Sequence, residues 1–139
     1  MKAVVQRVSK AAVRVERETV AAIGPGLLVL LGVGHDDTTD TADRLAEKVR
    51  ALRVFADADG KMNEPLGERE VLCVSQFTLY ADTARGNRPS FVAAAAPAHA
   101  SALYDRFCER LGAARGHFGA QMEVELTGDG PVTIVLEVT

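Results

Sequence analysis

The chain has 139 residues, 47% of them hydrophobic, a length and composition suited to one folding unit with a packed core, residues 1–139. A net charge of −3 and an isoelectric point near 5.6 exclude a protein that grips long stretches of nucleic acid by phosphate neutralisation alone, but not one that reads only the end of an RNA. No apolar run reaches the ~18 residues of a membrane span, the first ten residues lack a signal peptide's unbroken apolar stretch, and Cys73 and Cys108 lack zinc-site spacing. A cytosolic protein without metal, its two thiols free and mostly buried, is the expectation.

From Met1 to about Val33 the chain runs in short Val- and Ile-rich pieces, which predicts successive antiparallel strands. Breaks fall at Lys10, around Arg17 and at Gly24-Pro25-Gly26, and the run Leu27 to Val33 is apolar throughout, so it should be buried on both faces. A helix follows: Thr38, Thr39 and Asp40 offer N-cap oxygens, and Ala42, Leu45, Ala46, Val49 and Leu52 recur at helical spacing. Asp57-Ala58-Asp59-Gly60 lacks the glycine position of a calcium loop and predicts a tight turn.

Val71 to Val74 predicts a buried strand that leads into Ser75-Gln76-Phe77-Thr78-Leu79. A second helix is expected from about Pro97 to Leu111, with Ala100, Leu103, Tyr104, Phe107, Cys108 and Leu111 as its apolar stripe. Met122 to Leu126 and Val132 to Val138 predict a closing hairpin whose turn carries Gly130-Pro131. The expected class is α+β, with antiparallel sheets and about two packed helices.

Standard catalytic devices are absent: there is no GxSxG elbow, no HExxH, no Walker loop and no GxGxxG. His35, His99 and His117 lie in loops or near helix ends, where solvated or capping roles are usual. The polar, aromatic and hydroxyl residues after a buried strand are the informative signal. Read as strand, period two places Gln76 and Thr78 on one face and Ser75, Phe77 and Leu79 on the other. Such a segment either ends a strand with hydroxyls bonded to their own backbone, or offers N–H groups to an oxyanion, an aromatic to a base and a hydroxyl to water. Gly130-Pro131 is either an ordinary turn or, if cis, a place where carbonyls point outward to accept from a substrate ammonium. Arg85-Gly86-Asn87-Arg88-Pro89-Ser90-Phe91 is a basic loop, either solvated or facing phosphate.

Ser75 to Leu79 followed by Ala81-Asp82, then Arg88-Pro89-Ser90-Phe91, then Gly130-Pro131-Val132-Thr133 stand in an order and spacing that resembles the D-aminoacyl-tRNA deacylase family. Gln6-Arg7-Val8, Gly60-Lys61-Met62-Asn63 and Phe118-Gly119-Ala120 extend the resemblance over nearly the whole chain. It implies a partly barrel-like homodimer with active sites at the interface, acting on the 3′ end of aminoacylated tRNA without cofactor. The implied activity is ester hydrolysis that removes D-amino acids, and glycine, from tRNA. The implied catalytic residues are Phe77 and Thr78, with Ser75, Gln76 and Leu79 beside them in the substrate site. Gly130 and Pro131 would reach in from the other subunit as a cis peptide, exclude L side chains and be supported by Arg7. Thr78 as nucleophile lacks a visible base, so main-chain stabilisation of the oxyanion with help from the RNA 2′-OH is the favoured chemistry. A D-specific enzyme is favoured over the related animal branch with a trans Gly-Pro, by Phe77 and Val132-Thr133. A tRNA-end binding module without catalysis is the alternative, and Gly128 departs from the Asn usual in the family.

Overall fold

The computed structural model describes residues 1–139. Strands β1 (Lys2–Val15), β2 (Glu18–Ile23) and β3 (Gly26–Gly32) precede helix α1 (Thr39–Ala51). Strands β4 (Phe55–Ala56), β5 (Met62–Glu64) and β6 (Glu70–Ser75), a 3₁₀ turn (Phe77–Tyr80), helix α2 (Pro97–Leu111) and strands β7 (Ala114–Arg115) and β8 (Glu123–Glu137) complete the chain. One sheet runs β2-β1-β3-β6-β7, with β8 on the other edge of β1, and β4-β5 form a separate hairpin. Strand β2 also approaches β6 and β7, so the sheet curls into a nearly closed, barrel-like wall.

The two helices pack together on one face. Thr38 caps α1, its hydroxyl accepting from the Thr41 N–H at 3.3 Å while the Thr41 hydroxyl accepts from the Thr38 N–H at 3.1 Å. Helix α2 starts with Pro97 at its first turn and stops at Gly112, whose φ of 62° is left-handed. Arg106 clasps Asp43 through two bonds of 2.7 and 2.9 Å, and Arg110 meets Glu47 at 2.9 Å, which ties the helices side by side. In the β4-β5 hairpin the Asp57 carboxylate accepts from the Asp59 and Lys61 N–H groups, so Asp57 to Gly60 is the tight turn that its residues predict.

The apolar run of β3 is buried on both faces because it lies between two cores. Leu27, Val29 and Leu31 face the helices with Leu45, Val49 and Phe107, whereas Leu28 faces into the curl of the sheet with Val13, Ile23, Leu72 and Val74. Strand β1 serves both cores in turn. Its Ala3 and Val5 pack on the helix side, yet Ala11 and Val13, also odd-numbered, pack inside the curl. The reversal is made by one extra residue, since Val8 pairs with Gly128 but Lys10 pairs with Thr127. A one-residue bulge turns every later side chain to the opposite face. The break expected at Lys10 is therefore a bulge within a continuous strand.

Two further expectations are corrected. The sheet is mixed, not antiparallel throughout, because β3-β6 and β6-β7 are parallel. The closing hairpin does not form: Met122 to Val138 contains one long strand, β8, antiparallel to β1 along nearly its full length. Pairing with β1 satisfies both halves of β8 at once, and the Gly-Pro segment bulges out of the ladder instead of reversing the chain. No helix is long and apolar enough to cross a membrane.

Candidate active site

Beyond Ser75 the strand ends. The Gln76 N–H still donates to the Leu31 carbonyl at 2.7 Å, after which the chain winds into the 3₁₀ turn, with the Leu79 N–H donating to Gln76 O at 3.1 Å. The two-faced alternation expected for Ser75 to Leu79 thus holds no further than the end of β6. Glycines at the end of β3 make room for the turn. A Cβ at Gly32 would stand 3.1 Å from Leu79 Cβ and 3.2 Å from Gln76 O, and one at Gly34 would stand 3.0 Å from the Tyr80 ring. Buried Asp37 anchors this floor, accepting from the Gly34 N–H at 2.7 Å, the Met1 ammonium at 2.7 Å and the Tyr80 hydroxyl at 3.5 Å. Burial, and then the Asp37 charge, push the Tyr80 phenol above its usual range, so it stays a protonated donor.

A helix cannot satisfy its own opening N–H groups. Those of Phe77 and Thr78 find no acceptor in the protein, and both residues are exposed. The Gln76 side-chain amide donates to the Thr78 hydroxyl at 2.6 Å, and neither carboxylate nor imidazole bonds that hydroxyl. The turn therefore offers two free main-chain donors and a hydroxyl held by a neutral amide.

Ser75, Gln76 and Phe77 line a cleft of about 750 Å³ walled by Phe91, Ala94 to Pro97 and Phe118 to Met122. None of its lining residues carries an ionisable side chain. The histidines are engaged elsewhere: His35 Nε2 meets Val92 O at 2.5 Å and His99 Nε2 meets Asp37 O at 2.8 Å, while His117 stays outside the lining. Phe77 is 54% exposed and meets Phe91 edge-on, ring centres 5.0 Å apart at 71°. An aromatic face so presented can stack on a planar ring. No cluster of His, Cys, Asp and Glu able to hold a metal is found.

Gly130 and Pro131 lie elsewhere. The step from Gln6 to Val8 on β1 spans Thr133 to Gly128 on β8, so three surplus residues loop out of the ladder there. The Gly130-Pro131 peptide in this bulge is cis, and Gly130 has φ 127°, a conformation L side chains rarely adopt. Arg7 braces the bulge from below: its Nε donates to Asp129 O at 3.1 Å and its Nη1 to Val54 O at 2.5 Å. A Cβ at Gly128, the position of the departure from Asn, would meet nothing within 4 Å, so the bulge leans on no side chain there.

The Gly130-Pro131 bulge lies outside the lining of the cleft and apart from its Ser75 to Phe77 end, although Val124 at the start of β8 also lines the cleft. Arg7 is level with Leu27 and hence with Val71, four residues before Ser75, a separation of roughly 13 Å along the strands, and three strand spacings of about 4.8 Å lie across them. Within one protomer the two motifs do not meet. Sequence reasoning picked out Phe91 and Phe118-Gly119-Ala120 only as family motifs without a place in the site, and it missed the rest of the cleft wall and the floor under the turn. Ala93 to Ala96 reads as a low-complexity tract, yet three of these four alanines line the cleft and keep it open.

The profile of the D-Tyr-tRNA(Tyr) deacylase family matches residues 4–137. Among curated relatives, a D-aminoacyl-tRNA deacylase of Dehalococcoides mccartyi is 56% identical over 99% of this chain and 94% of its own. One from Salmonella newport is 53% identical over 99% of this chain and all of its own (100%). Among solved structures, one described as a c-Myc DNA unwinding element binding protein superposes with a TM-score of 0.94 at 42% identity, covering 100% of this chain and 99% of the other. A probable eukaryotic D-amino acid tRNA deacylase, 17% identical, shares the fold with a TM-score of 0.85 over 99% and 98% of the two chains.

Proposed function

The chain belongs to the D-Tyr-tRNA(Tyr) deacylase family, and on that premise we propose that it hydrolyses the ester between a D-amino acid and the terminal ribose of tRNA. The observation that carries this reading is a cleft free of ionisable side chains, lined at one end by Phe77, with the unpartnered N–H groups of Phe77 and Thr78 in the turn beside it. Donors of that kind stabilise the oxyanion formed when water adds to an ester carbonyl. The 2′-OH of the ribose orients the water and assists its deprotonation. The C–O bond to the ribose breaks, the departing oxygen takes a proton, and free D-amino acid and tRNA leave. Thr78 positions substrate instead of attacking it, because nothing in reach would take its proton. Phe77, backed by Phe91, receives the terminal adenine, with Ser75 and Gln76 beside it in the lining and Leu79 supporting the turn against Gly32.

The working unit is a homodimer in which Gly130 and Pro131 of the partner subunit close the cleft. Their carbonyls take the substrate ammonium and leave no space for an L side chain, while a D side chain points outward; glycine, with none, passes as a second substrate. Two features support this arrangement. The two motifs are too far apart to share a site within one chain, and β8 is an open edge with Val124, Leu126 and Val135 exposed by 37, 38 and 74%. Residues 1–139 act as a single deacylase domain in the cytosol, where its substrate is.

Release of amino acid from D-tyrosyl-, glycyl- and L-tyrosyl-tRNA tests the reading. Release from the first two and not the third is expected. Negligible release from all three, with tRNA still bound, would make the protein a tRNA-end binding module.

A further inference from the structure

Every arginine of this chain is committed within the fold except Arg17, Arg85 and Arg88. Arg7, Arg50, Arg53 and Arg69 donate to main-chain carbonyls, and Arg14, Arg44, Arg106, Arg110 and Arg115 pair with carboxylates. The two free guanidiniums at 85 and 88 share one exposed loop beside the cleft. The loop is closed at its base by Asp82 and Ser90, which exchange N–H···O bonds of 2.8 and 2.9 Å. The Asp82 carboxylate is turned onto the Ala84 N–H at 2.9 Å, so it is occupied inside the loop. No other acid occurs until Asp105. Arg88 precedes Phe91 by three residues, at most ~11 Å of chain, and Phe91 touches the Phe77 ring at the mouth of the cleft.

We propose that Arg85 and Arg88 grip the sugar–phosphate backbone of the tRNA acceptor strand just upstream of the terminal adenosine. This deepens the deacylase reading and rests on it. A protein of net charge −3 lacks the overall field that gathers a polyanion, so phosphate must be met at local positive sites. Guanidiniums left without protein partners, next to a cleft that receives the last nucleotide, supply such a site. Their planar forks suit phosphate oxygens, which accept two N–H bonds at once. The aromatic cleft then reads the end of the chain, and the arginines fix the strand that leads to it.

The test compares D-tyrosyl-tRNA with D-tyrosyl-adenosine, which keeps the ester, ribose and base but has no phosphate. In Arg85→Ala/Arg88→Ala the ratio of kcat/KM on tRNA to that on the adenosine ester falls about tenfold at low salt, through KM, and the logarithmic salt dependence loses about 1.5 from its slope. Lys48→Ala/Lys61→Ala, which removes the same charge from exposed positions on α1 and the β4-β5 hairpin, leaves the ratio unchanged. An unchanged ratio in the arginine variant, or an equal fall in both double variants, overturns the proposal. Binding of uncharged tRNA, followed by fluorescence anisotropy, is read in parallel. If the unaltered protein hydrolyses neither ester, the deacylase reading fails, while a tenfold loss of tRNA affinity confined to the arginine variant still supports the phosphate grip.

Discussion

Arg7 is the side chain that hydrogen-bonds the protruding Gly130-Pro131 bulge to the rest of the molecule, beside the packing of Val132 on the core, so Arg7→Ala separates the contribution of the brace from that of the bulge itself. The guanidinium is 15% exposed and bonds Val54 O, whose residue is 5% exposed, as well as Asp129 O on the solvent side. Losing the Val54 bond leaves a buried acceptor bare and costs about 2–3 kcal/mol, whereas the Asp129 contacts, open to water, contribute under about 1 kcal/mol. A total near 3 kcal/mol lowers the urea midpoint by roughly 1–2 M, measured at one fixed protein concentration. Arg7→Lys keeps the charge but cannot span both carbonyls with one ammonium, so it recovers at most about half of the loss. If the bulge closes the site as proposed, untethering it also degrades discrimination: displacement of a binding group by ~1 Å costs on the order of 10²-fold, so the ratio of D- to L-tyrosyl-tRNA hydrolysis falls by about tenfold or more. A midpoint within about 0.3 M of the unaltered protein, with selectivity intact, would refute the brace.

Gly26→Ala places a Cβ 1.8 Å from the Glu70 carbonyl oxygen across the parallel β3-β6 pair, so the strands must separate; the melting temperature, followed by circular dichroism, drops by roughly 10 °C or more, or the protein fails to fold. Thr78→Ala retains substantial single-turnover hydrolysis of D-tyrosyl-tRNA, because the Phe77 and Thr78 N–H groups remain; a loss of about three orders of magnitude with binding intact would make the hydroxyl a nucleophile. The hydrogen-bonded Arg106 guanidinium holds the Asp43 carboxyl below the usual carboxylate range. A carboxyl whose folded value is depressed stabilises fully above its unfolded value of about 3.9 and loses that contribution as pH falls through the folded value. The stability gap between the unaltered protein and Arg106→Gln, read from urea midpoints, should therefore close on acidification below about pH 4, and a constant gap would count against the clasp.

What could be read beforehand is what local chemistry decides. The Thr38 cap, the apolar spacing through Val49, and the Pro97 start define helices within a few residues of themselves, and the Leu27 to Val33 run announces burial whatever its partners. Strand direction is not local. Yet β3 and β6 are joined by a crossover carrying α1, the connection that parallel neighbours require, and that signal lay in the sequence. Gly128 to Pro131 has the composition of a reversal, and only the ladder to β1, set by residues more than a hundred positions away, makes it a bulge. The Ser75 to Leu79 motif stood out because polar residues follow a buried strand; its 3₁₀ winding depends on Gly32 and Gly34 beneath it, which no periodicity reveals. The alanines of the cleft wall matter through the volume they leave empty, and a void has no compositional signature.

The three surplus residues of β8 are absorbed between two stretches of intact ladder, with rungs on either side held in register against β1. Such a segment behaves as a cassette. Its length and contents can change while the pairing above and below stays put, so evolution or an engineer can rebuild the protrusion without asking the rest of the fold to adapt.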